Sequence, residues 1–147
     1  SMQASHQTSD MYWIGKRLGN TRLLGAYAWQ SLLKSGVVIP NGSDFPVEEV
    51  NPLISFHASI ARQDARNWPE GGWYAEQRMS REDALRSMTL WPAYAGFQEK
   101  DLGSITPGKY ADFVVLSQDI MRVPVEMVLD TRVESTWVGG RKVYAPN

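Results

Sequence analysis

Two periodicities divide this chain. Up to about residue 100 apolar residues recur every three or four positions; beyond Gly103 they run in short β-rich blocks. Residues 21–35 carry Leu23, Leu24, Tyr27, Ala28, Leu32 and Leu33 at helical spacing. Asn20 or Thr21 is suited to cap that helix, and Gly36 to supply its left-handed stop. Val37-Val38-Ile39 follows at once, a short β-branched run that predicts a buried strand, closed by the polar turn Asn41 to Pro46. Helix, glycine stop, buried strand and polar turn make the αβ half of a parallel-sheet unit. A second helix is predicted over 52–63, with Pro52 in its first turn and Leu53, Phe56 and Ile60 apolar. Asp64 to Met79 has no period. Its Trp68-Pro69-Glu70-Gly71-Gly72-Trp73-Tyr74 core reads as a functional loop or lid, or as a packed surface loop. Ser80 and Asp83 form a capping-box-like start for a helix to about Thr89, and Trp91 to Phe97 is a further helical piece. Then strands are predicted at Ala111–Leu116 and Thr131–Val138, with Gly139-Gly140 turning into a partner at Arg141–Tyr144. The change of period places a boundary between two architectures, residues 1–101 and 102–147.

Composition narrows the function classes. The 147 residues are 43% hydrophobic, enough for a real core, and 15 basic against 16 acidic residues leave a net charge of −1. No basic surplus points to nucleic acid or an anionic membrane, and no apolar run approaches the ~18 residues of a membrane span. The absence of cysteine excludes disulfides, thiolate metal sites and a cysteine nucleophile, and fits a cytoplasmic location. The chain opens on a polar stretch, Ser5 to Asp10, as though entered in mid-fold.

Asp44 is the sharpest candidate for chemistry. It follows the predicted buried strand directly, at the carboxyl edge where parallel α/β folds collect ligands. A carboxylate there can bind a metal, act as a general base or do both in turn, or it can close an Asx-turn. His6 precedes Asp44 by roughly 38 residues, the spacing of consecutive strands in a βα barrel. The two residues are thus expected to end neighbouring strands and face one mouth, unless His6 is an exposed residue of a frayed terminus. His57, inside a predicted helix among apolar neighbours, reads as structural or as surface. Trp68, Trp73 and Tyr74 can line a pocket for an apolar or aromatic group, or pack beneath their loop. Asp10 and Arg22 are possible substrate ligands or ordinary surface charges. His-x-His, His-Glu-x-x-His, a phosphate-cradling glycine loop and Gly-x-Ser-x-Gly do not occur. Two histidines and one carboxylate are the least that a catalytic zinc takes, and His57 is badly placed, so the chain alone is not expected to hold one. A non-metal hydrolase using Asp44 and His6 lacks a nucleophile beside them.

Gly42-Ser43-Asp44-Phe45-Pro46-Val47-Glu48 resembles the last-strand motif of the amidohydrolase superfamily. Leu102 through Leu116, with Gly103-Ser104-Ile105-Thr106-Pro107-Gly108-Lys109-Tyr110-Ala111-Asp112, resembles the return of those enzymes from barrel to small β-sandwich. The nearer likeness is to amidohydrolase family 3, the YtcJ-like branch. It is carried by Gln3 through His6 to Met11, Ala26-Tyr27-Ala28-Trp29, Arg62-Gln63-Asp64, Gly71-Gly72-Trp73-Tyr74, Glu76-Gln77-Arg78, and Asp130-Thr131-Arg132-Val133 with Thr136 to Gly140.

The resemblance implies an α/β fold: the C-terminal fragment of a TIM (β/α)8 barrel, with its last two strands and helices over 1–101, followed by strands of a small β-sandwich over 102–147. It implies hydrolysis of an amide-type C–N bond of a small-molecule substrate by metal-activated water. Asp44 would be metal ligand and proton shuttle, and His6 a substrate contact, with metal ligation its second reading; Trp73, from its place in the aromatic loop, is expected as a further substrate contact. The divalent metal, zinc by expectation, belongs to the complete enzyme, because the family's His-x-His would lie upstream. The fragment itself is then expected to be inactive. It is expected to form a homo-oligomer, or to pair with the missing N-terminal part, to cover its open barrel edge. The rival reading is a non-catalytic, stand-alone binding or assembly module derived from the same fold.

Overall fold

A computed structural model describes residues 1–146. Six helices come first: α1 (Ala4–Asp10), α2 (Ile14–Leu23), α3 (Trp29–Lys34), α4 (Pro52–Ala61), α5 (Arg81–Met88) and α6 (Leu90–Ala95). Three strands follow, β1 (Phe113–Leu116), β2 (Val133–Val138) and β3 (Arg141–Tyr144), in an antiparallel sheet of order β1-β2-β3. Short 3-10 turns lie at Ala75–Gln77 and Val125–Asp130. Among the described residues no helix is long and apolar enough to cross a membrane.

Helix α4 is the hub, and its sequence explains why. The Asn51 side chain accepts from the Leu53 N–H, and Pro52 takes the first turn, where its missing N–H costs nothing. Every residue of α4 from Ser55 to Ala61 is buried, and the helix packs against α1, α5 and the Val125–Asp130 turn. Met2, Trp29, Ile39, Phe56, Ile60, Met79 and Val128 form the apolar core around it. Helix α5 starts at the predicted Ser80 cap, whose hydroxyl oxygen accepts from the Asp83 N–H at 3.0 Å. The hairpin at Gly139-Gly140 also forms, both residues at positive φ, with Phe113 stacked on Trp137 across β1 and β2.

Two sequence expectations need correction. The helix expected over 21–35 is two helices: α2 ends at Leu23 and α3 begins at Trp29, with Tyr27 at φ 51° between them. Long-range bonds override the local period there. The Tyr27 carbonyl accepts from Arg62 Nη1 at 2.8 Å, and its phenol donates to Asp10. The strand expected at Val37–Ile39 is absent as an element. One parallel bridge, Met2 to Asn41, stands in its place, with Ile39 buried and Val37 and Val38 roughly half exposed. A parallel ladder is stable only inside a wider sheet with both faces covered, and this chain supplies one rung.

Candidate active site

The single parallel rung sets up the site. The Met2 N–H donates to the Pro40 carbonyl at 2.8 Å, and the Gly42 N–H donates back to Met2 at 3.0 Å. Beyond this pair the two segments diverge: one winds into α1, the other turns through Gly42 to Pro46. His6 is therefore the third residue of α1, not the end of a strand as expected from the sequence. The two segments nevertheless bring the expected partners together: His6 Nε2 lies 3.4 Å from Asp44 Oδ2. Nε2 is itself buried and makes no directed hydrogen bond, while the Asp44 side chain is about half exposed. Asp44 sits at φ 59°, a left-handed backbone that costs a non-glycine residue of order 1 kcal/mol and recurs at functional sites. The turn is held by the Val47 N–H donating to the Asp44 carbonyl at 2.8 Å. A second tie joins the same two segments, the Ser9 hydroxyl donating to Glu48 Oε1 at 2.7 Å.

A cavity of about 500 Å3 opens beside His6, with Gln3, Tyr27, Trp29 and Val38 among its walls. Burial, then the hydrogen bond to Asp10 and the charges of Asp10 and Glu48, push the Tyr27 phenol far above its ordinary range, so it stays a donor. Asp10 is thus engaged within the fold, whereas Arg22 donates to the Leu18 carbonyl across the non-helical Gly19 inside α2.

Trp73 lies behind Tyr27. Its ring meets Tyr27 edge-on at 6.2 Å and Tyr74 at 4.5 Å, and it is not among the cavity walls. Arg62, fully buried, inserts its guanidinium between Trp29 at 4.5 Å and Trp73 at 5.2 Å. Its Nε donates to the Trp73 carbonyl, and burial lowers its pKa to about 10. Trp68 stacks on Tyr12, whose hydroxyl donates to Asp64. Burial works to raise the Asp64 carboxyl, but hydrogen bonds from Tyr12, Trp68 and Arg66 outweigh it and hold it below its ordinary value. His57 is buried and pairs with Asn67 Oδ1 at 3.0 Å; burial holds it below its ordinary pKa. That placement agrees with a structural role.

Sequence reasoning missed two residues around the site. In the sequence Arg62 stands out only as part of a three-residue motif, and Asn41 only as a turn residue. A buried guanidinium carries no periodic signature. Asn41 acts on a helix 37 residues away.

The amidohydrolase family pattern matches residues 1–144. The chain belongs to the amidohydrolase family. It is 36% identical over 145 residues to Protein LONG AFTER FAR-RED 3 of Arabidopsis thaliana, covering 98% of this chain and 24% of that one. It is 29% identical over 143 residues to the YtcJ protein of Bacillus subtilis (strain 168), covering 97% of this chain and 27% of that one. Among solved structures, a metal-dependent hydrolase of Pyrococcus horikoshii OT3 superposes with a TM-score of 0.71 at 26% identity, over 84% of this chain and 25% of the other. The chain thus spans about a quarter of the length of the relatives it matches.

Membership of this family implies a divalent metal in a complete enzyme. The His6 imidazole nitrogen and the Asp44 carboxylate are donors of the right chemistry, and Nε2, buried beside Asp44, has no hydrogen-bond partner. Among the described residues no third His, Cys, Asp or Glu joins them. A catalytic zinc takes three protein ligands, so these two residues make up only part of a donor set.

Proposed function

We propose that this chain is the C-terminal part of a metal-dependent amidohydrolase that cleaves an amide-type C–N bond with water, and that Asp44 is its proton shuttle and one of its metal ligands. Residues 1–101 would contribute the last two strands and helices of a barrel, and residues 102–147 strands of a β-sandwich. The approach of His6 to Asp44, at the point where two paired segments diverge, carries this reading.

When bound, the metal, with zinc our expectation, lowers the pKa of a water towards ~7. Asp44 accepts a proton from the attacking water and later delivers it to the leaving nitrogen. A C–O bond forms, the C–N bond breaks, and an acid and an amine leave. His6, with Nε2 unpartnered, is placed to hold a polar group of the substrate. Trp73 contributes to the substrate wall through Tyr27, which it packs against. The two donors of this chain do not complete the site, so turnover belongs to the complete protein. The half-exposed Val37 and Val38 beside the single rung would be covered there by further strands, or by a second copy of the chain.

The test is Asp44→Asn in the complete enzyme, assayed on a panel of N-acyl amines. Turnover is expected to fall by about a thousandfold or more. Near wild-type turnover removes the assignment of Asp44; no hydrolysis of any amide by the unmodified enzyme removes the reaction class.

A further inference from the structure

Helix α1 carries His6, whose N–H donates to the Gln3 carbonyl at 3.2 Å, yet the side chain at its own cap position does nothing. Gln3 precedes the helix with an extended backbone, and its side chain makes no cap hydrogen bond. Four N–H groups at a helix start lack partners within the helix, and a side-chain oxygen normally serves one of them. Here the oxygen comes from the other segment: Asn41 Oδ1 accepts from the Ala4 N–H at 3.0 Å. Ala4 is the first residue of α1 and is fully buried, so water does not replace that bond easily.

We propose that Asn41 is a positioning residue, which caps α1 from the neighbouring segment and so holds His6 against Asp44. The inference rests on the proposed site, but only on its geometry. Asn41 stands three residues before Asp44, on the same loop. Its backbone is pinned twice, as the bridge partner of Met2 and by its N–H donating to the Ser87 carbonyl at 2.8 Å. A fixed Asn41 therefore fixes the start of α1, and His6 lies in the first turn of that helix. The amide orientation is decided by the cap itself, since only the oxygen can accept from Ala4. That leaves Nδ2 buried and unpartnered. Such a group is costly to bury, so the cap holds Asn41 in an orientation its own burial does not favour. His6 and Asp44 share no directed bond that would align them unaided.

The experiment is NMR on the 147-residue chain, reading the cross-peak between the His6 ring and the Asp44 β-protons. In Asn41→Ala the ratio of docked to released helix start should fall about fivefold, the factor that a lost helix cap of ~1 kcal/mol implies, and the cross-peak should weaken more than twofold. In Asn41→Asp, which keeps the acceptor, it should stay within a factor of two. Ala4→Pro removes the same bond from the donor side, at a position where proline is tolerated, and should match Asn41→Ala. Full cross-peak strength in a folded Asn41→Ala overturns the proposal. Equal loss in Asn41→Asp and Asn41→Ala overturns it too, by assigning the effect to Nδ2 instead of the cap. Where the variants do not fold, amide exchange in the unmodified chain decides. Protection of the Ala4 amide about fivefold or more above an uncapped first-turn amide supports the cap, and free exchange there overturns it. None of these readouts depends on turnover, so failure of the hydrolase reading leaves the result intact.

Discussion

The helical region through residue 101 and the sheet region after it break the rules of local structure to very different degrees. Among the described residues of the sheet region every left-handed one is a glycine: Gly103, Gly108, Gly139 and Gly140. In the helical region Tyr27, Asp44, Arg62, Asn67, Tyr74 and Phe97 take that conformation despite their side chains. The same split holds for buried polar atoms. Thr131 and Ser135 in the sheet region both accept side-chain hydrogen bonds, from Gln118 and Trp137. The buried atoms without partners belong to Ser5, His6, Gln7, Asn41 and Arg62. A sheet built from alternation and a glycine turn needs no strain. The site needs backbone and side chains held where local preference would not put them, and such exceptions gather where function is carried.

The contrast can be broken first at Arg62. Arg62→Met leaves the Trp73 carbonyl without its donor, takes one of two donors from the Tyr27 carbonyl, which keeps the Trp29 N–H, and opens the space between Trp29 and Trp73. A loss of about 3 kcal/mol or more in urea unfolding is expected. A loss under about 1 kcal/mol would mean that the strained region is not held by this residue.

One substitution made in both regions sharpens it further. Gly72 and Gly139 both have positive φ, but a Cβ on Gly72 would lie 2.4 Å from the Ala61 carbonyl oxygen, whereas one on Gly139 meets nothing within 4 Å. Gly139→Ala should cost about 1 kcal/mol, the backbone penalty alone. Gly72→Ala should cost at least about 2 kcal/mol more and shift the near-ultraviolet signal of Trp73. Equal costs would erase the distinction.

The smallest effect is a slope. Burial lowers the His57 pKa below its ordinary 6.5, so near neutral pH and just below it the folded chain binds fewer protons there than the unfolded one. Stability from this group is whole above about pH 6.5 and is lost as pH falls through the lowered folded value. Urea midpoints at pH 7 and pH 5 should therefore differ more in the natural chain than in His57→Gln. Identical pH dependence would remove His57 from the account.

Much of this was legible from local chemistry. Asn51-Pro52, Ser80 with Asp83, and Gly139-Gly140 each announce their element, because caps and turns are decided by neighbours a few residues away. The approach of His6 to Asp44 was also legible, since it follows from the spacing of two consecutive segments. The break at Tyr27 was not: 35 residues separate its carbonyl from the Arg62 donor, and helical periodicity does not see that far. Nor was the loss of the Val37–Ile39 strand, because β-branched composition fits a strand without supplying the neighbours a parallel ladder needs. The aromatic loop left two readings for Trp73, pocket wall or packing beneath the loop, and its ring packs against Arg62 and Tyr27, a placement only the fold reveals.

The lone Met2–Asn41 rung also sets a folding order. The cap beside it joins residues 37 apart, and closing a loop of that size costs about 3 kcal/mol in chain entropy, about all that the two hydrogen bonds of the rung and the cap return. The rung is therefore not expected to nucleate folding. It is expected to close after α3, α4 and α5 have gathered the chain, with Met2 and Asn41 among the late contacts on the way in and the early losses on the way out. The alignment of His6 with Asp44 is then expected to follow the rest of the core, so that φ-values at Met2 and Asn41 should lie near zero.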